Sequence, residues 1–432
     1  MFVFRKSKSI PLSPLSRIHV KEWHIYSWTQ IMSFSKHPTI CIISFSPIAY
    51  DTRVLRQIEA LAPQYNLLVI GYGPPPPRWY NAPGIRWFSV KPPRLPDKSL
   101  AIFLILGLLY PFFYEQWYWL HSSPRQAYTS LHKLSADLII ANESFALPLA
   151  NRLAAEWNAP LILDLHEYEP LMEDQWLKKM LFSPKNRYLL ERYAKQVSAT
   201  MTVAPALAQR YQEEFGFRPT VVFNVPYYDN PPPDHNVDSQ MIRLVHVGTA
   251  IRGRQIELMI DTIRYCDQRY HLSFVLLPYY RDPRYIHHLQ LYAQNVAPGR
   301  ISFLEPTTPD QIVHRIASFD MGIYLLKPTS YNHSIALPNK LFQFLHAGLA
   351  VCIGPTPGMA AFVKEWQFGI VAPSFDPKIV AATLNQLDTK EIERMRQAAR
   401  TAAVRFSAAT EMEKVVNLCH QLLEQKSKIR GC

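Results

Sequence analysis

From Thr39 onward the chain alternates between short apolar runs and longer amphipathic stretches, and this alternation limits its fold more than any other feature. The first half carries TICIISFS (39–46), NLLVIGYG (66–73), IRWFSV (85–90), ADLIIAN (136–142), APLILDLHE (159–167), ATMTVA (199–204) and TVVFNV (220–225). Each run is strand length, rich in β-branched residues, and apolar at consecutive positions. That is how strands covered on both faces of a parallel sheet read. Between them lie helical patterns such as DTRVLRQIEALAPQ, which Asp51 is placed to N-cap, and LPLANRLAAEW. A second series follows: IRLVHVG (242–248), LSFVLLP (272–278), ISFLEP (301–306), MGIYLL (321–326), AVCIG (350–354) and GIVAP (369–373).

The segment NVPYYDNPPPDHNVDSQ separates the two series; its three successive prolines can continue neither a helix nor a central strand. The reading is therefore α/β, with two Rossmann-like doubly wound domains (39–225 and 241–405) joined by a Pro-rich linker (226–240). A C-terminal helix within 406–432 is expected to cross back to the first domain. In such sheets ligands bind outside the carboxyl ends of the strands, so two facing domains create a cleft suited to a site. Residues 1–38 read as an N-terminal extension. They hold six Lys and Arg against one acid and lack the apolar core of a secretory signal; an organelle transit peptide stays open for them.

A length of 432 residues suits two domains, and 48% hydrophobic with 19% charged residues excludes wholesale disorder. The 46 Lys and Arg exceed 34 Asp and Glu by 12, yet no helix-turn-helix, aromatic-basic sheet or zinc pattern accompanies them, so no nucleic-acid partner is expected. Five scattered cysteines without a C-x-x-C spacing argue for reduced thiols in a cytoplasmic chain. No HExxH or other ligand cluster is present, and neither a metal nor a cofactor is expected.

The most informative stretch is LPNKLFQFLHAGLAVCIGPTPGMAAFV (337–363). Pro338 suits a helix start, Gly348 a helix end, and a strand and a Pro-Thr-Pro-Gly turn follow. This run resembles the donor-binding helix of GT-B glycosyltransferases, in particular the retaining family 4 (group 1) enzymes. Three other stretches match in the same order: DTRVLRQIEALA, then LILDLHEYEP with LLERYAKQVSATMTVAPALAQRYQEEFG, then HVGTAIRGRQIELMIDTI. The resemblance spans roughly residues 39–420 and implies a GT-B architecture. It further implies transfer of a sugar, with retention, from a nucleotide-diphosphate sugar to an acceptor in the cleft.

The same resemblance implies where the donor sits. Arg252 and Arg254, after the first strand of the second domain, would hold the diphosphate, for which a guanidinium fork is chemically apt. Gly248, Asn339, Lys340 and Gln343 complete the expected donor side. The chain departs from the family's pair of glutamates eight positions apart: Gln343 stands at the second, and the first falls near Ile335. Asn332, His333 or backbone groups would then substitute, or the donor differs, or the protein is inactive.

His166 and Glu167, at the end of LILDLHE, are the expected catalytic residues. The histidine would either donate to the leaving-group charge or orient the acceptor. The alternative is a structural histidine held by its carboxylate neighbours. Ser46, Asp51 and Arg53 form the expected acceptor-side loop. SLAIFLILGLLYPFFYEQWYWLH (99–121), preceded by basic residues, fits contact with an anionic membrane surface, a buried core helix, or a span, in that order. The expected acceptor is accordingly a glycan or lipid-linked molecule, reached by a peripheral protein on the cytoplasmic face. A sugar-nucleotide epimerase and a non-catalytic binding protein are the competing readings.

Overall fold

The computed structural model describes residues 37–92, 98–173, 175–228, 233–279, 282–308 and 311–430. The expectation for 1–38 thus falls almost wholly outside the described residues, as does the centre of the linker.

All thirteen apolar runs become strands. The first sheet holds β1 (Thr39–Pro47), β2 (Asn66–Tyr72), β3 (Ile85–Val90), β4 (Leu138–Asn142), β5 (Leu161–Leu165), β6 (Ala199–Thr202) and β7 (Thr220–Val221). Their order is β3-β2-β1-β4-β5-β6-β7, and every pairing is parallel. The second sheet holds β8 (Ile242–Ala250), β9 (Tyr270–Pro278), β10 (Ile301–Leu304), β11 (Met321–Tyr324), β12 (Ala350–Ile353) and β13 (Gly369–Val371). Its order, β10-β9-β8-β11-β12-β13, is again wholly parallel. The direction of strand succession reverses between β1 and β4 and between β8 and β11, so each sheet has its ligand crevice at that point.

Helices cover both faces of each sheet, because the strands are apolar on both sides. Ile40, Ile42, Val69 and Ile140 pack under one face of the first sheet with Val54 and Ile58 of the helix Thr52–Leu61. That layer also receives Met412, Val415 and Cys419 from the helix Ala408–Arg430, whose Lys426 donates to the Asp137 carbonyl. The last helix therefore rests on the first domain. The Pro-rich connection is held at both flanks: Ala408 N–H donates to Pro226 O, and Arg396 and Arg400 both reach Asp234.

Residues 99–121 form two helices, Lys98–Leu109 and Phe112–Leu120, broken at Pro111. Leu104, Tyr114, Trp117 and Tyr118 turn into the core of the first domain. Ile102, Ile105, Leu109, Tyr110 and Phe112 turn outward, with Leu109 74% exposed. The segment is thus both a core element and an outward apolar face. No described helix is long and apolar enough to cross a membrane.

Candidate active site between the two domains

On the first domain the strand register itself assembles a polar corner. Ser44 lies beside Asn142, and Asn142 beside Asp164, at the carboxyl ends of β1, β4 and β5. All three are buried. Arg53 meets Asp164 with a two-pronged pair, Nε to Oδ2 and Nη2 to Oδ1 both at 2.7 Å, and its Nη1 donates to Val222 O. Gln57 donates to Asp164 Oδ2 at 2.6 Å and bridges to Asn142. Burial works against the Asp164 charge, but Arg53 and then His166 outweigh it and hold the carboxyl well below its ordinary range.

This places Arg53 in the interior, 2% exposed, and corrects its assignment to an acceptor-facing loop. Its side chain is consumed by a carboxylate that cannot be left uncompensated in the core. Ser46 and Asp51 also face each other. Ser46 Oγ donates to Asp51 Oδ2 at 2.8 Å, while Asp51 Oδ1 accepts from Val54 N–H and caps the helix Thr52–Leu61.

His166 sits at the end of β5 between two carboxylates. Its Nδ1 is 3.0 Å from Glu143 Oε1, and its own backbone N–H donates to that same oxygen at 3.2 Å. Nε2 makes an ionic contact with Asp164 Oδ2 at 3.4 Å, too poorly aligned for a good hydrogen bond. Burial opposes a charged ring, but Glu143 and then Asp164 overcome it and push the imidazole up to about 10. His166 is therefore a cation at neutral pH and has no free lone pair with which to take a proton. Glu167 is exposed at this edge, and its carbonyl accepts from Tyr211 Oη.

Sequence reasoning missed Glu143, though its place directly after a buried strand, where catalytic groups gather, is a usable signal. It missed the layer behind it as well. Ser144 donates its N–H and Oγ to Glu169, whose carboxyl is raised well above its ordinary range by burial and then by Glu143. Further in, Lys185 lies over the rings of Trp117, Phe182 and Phe145, and burial lowers it to about 8.

On the second domain the crevice lies where β8 and β11 diverge. Gly248, at φ +149°, leaves room that a side chain would close: a Cβ there would sit 2.4 Å from Lys340 Cε, 2.9 Å from Lys340 Nζ and 3.7 Å from Arg254 Nη1. The glycine thus lets two cationic heads converge on one point. Lys340, from the first turn of the helix Asn339–His346, lies over the Tyr324 ring, and burial followed by Arg254 lowers it to about 7. Beneath, His246 is buried, stacks on Tyr324 and hydrogen bonds through Nδ1 to Ile323 O at 2.9 Å. Burial, Lys340 and Arg254 lower it to about 3, so it stays neutral. Its position inside a strand gave no sequence signal.

The two arginines expected to act together separate. Arg254 turns in towards Lys340, and among the described residues neither cation forms an ion pair with a carboxylate. Arg252 turns out, with Nε 2.6 Å from Asp282 Oδ2 and its guanidinium over Tyr285. Asn339 is exposed and Gln343 half-buried on the same helix. Asn332, considered as a substitute for the missing glutamate, is spent elsewhere. Its Oδ1 accepts from Tyr168 N–H at 2.7 Å, and its Nδ2 donates to Tyr168 O and Leu171 O. Ile335 packs against the first domain's core. Asn332 and Ile335 therefore join the domains. Among the described residues no cluster of His, Cys, Asp and Glu could hold a metal ion.

Two facing parallel α/β domains with cations converging at one crevice define a GT-B architecture. Residues 49–227, the first domain, match the glycosyl transferase 4-like domain. No curated protein matches the chain. Among solved structures, sucrose-phosphate synthase from Thermosynechococcus elongatus superposes with a TM-score of 0.66 at 14% identity, covering 90% of this chain and 100% of that one. HepE from Anabaena in complex with UDP-glucose gives 0.63 at 15% identity, with 89% and 100% covered. The α,α-trehalose 6-phosphate synthase from Burkholderia multivorans gives 0.62 at 11%, with 91% and 98% covered. The chain has the GT-B fold.

Proposed function

We propose that the protein transfers a sugar, with retention, from a nucleoside-diphosphate sugar to a membrane-proximal acceptor. The observation that carries this reading is the convergence of Arg254 and Lys340 on Gly248 without an opposing acid. Two cations brought together and partly desolvated repel each other, so the arrangement is at ease only when a multiply charged anion lies between them. A diphosphate is such an anion, and the similar HepE structures are complexes with UDP and UDP-glucose. Lys340 and Arg254 would neutralise the charge that grows on the leaving diphosphate, a stabilisation that acts in the transition state. His166, already charged, adds a fixed positive centre on the opposite wall and takes no proton.

The support for a membrane-proximal, lipid-linked or otherwise amphiphilic acceptor is the outward apolar face of the helices Lys98–Leu109 and Phe112–Leu120. The helix Trp176–Tyr193 packs beside the first of these and adds Trp176, Leu177 and Met180, with Lys178 and Lys179 exposed among them. Apolar side chains interleaved with lysines suit the boundary of an anionic bilayer. The first test is calorimetric titration with UDP, GDP and ADP. Saturable binding of at least one supports the reading, and no heat from any at millimolar concentration refutes it.

A further inference from the structure

The corner around His166 contains a residue whose backbone is held where only glycine is at ease. Glu143 has φ +68° and ψ 157°, directly after β4. A non-glycine residue in this region is strained and persists only when its surroundings fix it. Here they do: Glu143 N–H donates to Asp164 O at 2.9 Å, extending the β4–β5 register, and Ala146 N–H donates to Glu143 O. The outcome of that geometry is specific. One oxygen, Glu143 Oε1, receives both the His166 backbone N–H and His166 Nδ1. Of the two carboxylates on the ring, Asp164 is already neutralised by Arg53, so Glu143 is the His166 partner without a cation of its own.

We propose that Glu143 is a positioning residue for glycosyl transfer: its strained backbone aims one carboxylate oxygen at both His166 Nδ1 and the His166 backbone N–H, fixing the ring's orientation in the cleft. This deepens the transferase reading and rests on it for the catalytic consequence, though not for the pairing itself. The charged groups facing the imidazole are Glu143 from the turn after β4 and Asp164 from β5, with Arg53 of the helix Thr52–Leu61 behind Asp164. Behind Glu143 lies the Glu169 carboxyl, raised well above its ordinary range by burial and then by Glu143, and near it Lys185.

The assignment predicts different behaviour from three substitutions. Glu143→Gln keeps size and an acceptor oxygen but removes the charge. Glu143→Asp keeps the charge on a shorter arm. Glu143→Gly suits the backbone but removes the carboxylate, so its His166 midpoint should fall as in Glu143→Gln. In histidine-labelled protein followed by NMR, with His166→Gln used to assign the signal, wild-type His166 should remain an imidazolium through pH 8.5. In Glu143→Gln its midpoint should fall by about 1–3 units, the usual effect of one adjacent opposite charge. With the natural acceptor or a membrane extract, Glu143→Gln should lower kcat at unchanged donor KM, with a deficit that widens as pH rises; Glu143→Asp should restore part of it. Identical His166 titration in wild type and Glu143→Gln overturns the proposal. The NMR result stands even if no transfer is found, so failure of the transferase reading and failure of the Glu143 assignment are distinguishable.

Discussion

Asn332, on the second domain, and Tyr168, on the first, exchange a pair of hydrogen bonds: Tyr168 N–H to Asn332 Oδ1 at 2.7 Å and Asn332 Nδ2 to Tyr168 O at 3.2 Å. The carboxamide reproduces the donor and acceptor of a strand neighbour and so ties the loop after His166 to the donor-side domain. Asn332→Ala leaves the buried Tyr168 N–H without its partner, at about 1–3 kcal/mol, and removes a donor from Tyr168 O and Leu171 O. The expected result is a lower midpoint in urea unfolding together with a lower kcat. Asn332→Asp can still accept from Tyr168 N–H but cannot donate, so it should fall between.

The donor crevice makes a contrast that the sequence could not. Arg254→Ala and Lys340→Ala should each weaken nucleoside-diphosphate binding by about tenfold or more, since hydrogen bonds to charged groups contribute roughly 1.5–3 kcal/mol. Arg252→Ala should change it far less, because that side chain is held outward by an exposed pair of small worth. Gly248→Ala should act like Lys340→Ala, by pushing the ammonium out of place. Calorimetry on the four variants checks the order.

The lowered Lys340 predicts proton uptake on binding. Folding leaves its ammonium at about 7, below the ordinary lysine range, so above pH 7 the unliganded side chain is increasingly neutral. A diphosphate raises it again, and binding at pH 8.5 must therefore draw in a proton. Titrations in buffers of different ionisation enthalpy should show uptake approaching one proton at pH 8.5 and little at pH 6. Affinity should fall as pH rises through 7, and Lys340→Ala should abolish the uptake.

His166 gives the opposite sign in stability. Its folded value near 10 lies above the ordinary 6.5, so its contribution is complete below about pH 6.5 and is lost as pH rises through 10. His166→Gln should remove part of the alkaline fall in the unfolding midpoint between pH 7 and 10.

Arg53→Ala should be the most damaging of the substitutions in this corner. It leaves Asp164 charged and buried, a change that typically costs 3–5 kcal/mol. Chemical denaturation measures it, and a loss below 1 kcal/mol would mean that the pair is not the anchor described here.

For the surface, Trp176→Ser with Leu177→Ser should reduce flotation with vesicles containing anionic lipid, and Lys178→Glu with Lys179→Glu should reduce it further at low salt. Equal, negligible flotation of wild type on anionic and neutral vesicles would contradict a membrane contact.

The fold was legible because the thirteen strands, the central ones buried, write themselves as short apolar runs, and a triple proline marks the gap between the two series. The site was legible only in part. Gly248, Arg254 and Lys340 could be placed through the resemblance, and the structure brings them together. Arg53 and Arg252 could not be sorted, since an arginine reads the same whether an acid far along the chain captures it or not. Asp164 is 111 residues from Arg53, and Asp282 is 30 residues from Arg252. Glu143 was invisible for a related reason: its role depends on a backbone angle and on a histidine 23 residues away.

The most direct test of the account is transfer itself. Wild-type protein would be incubated with a panel of nucleoside-diphosphate sugars and the natural acceptor or a membrane extract. Nucleotide release would be followed over time, and the anomeric proton of the product read by NMR. The account predicts acceptor-dependent release with one donor, a product of the same anomeric configuration as that donor, and at least tenfold slower release by Arg254→Ala. Release no faster than background across the whole panel would contradict it and leave a binding protein; an inverted product would keep the transferase and refute retention.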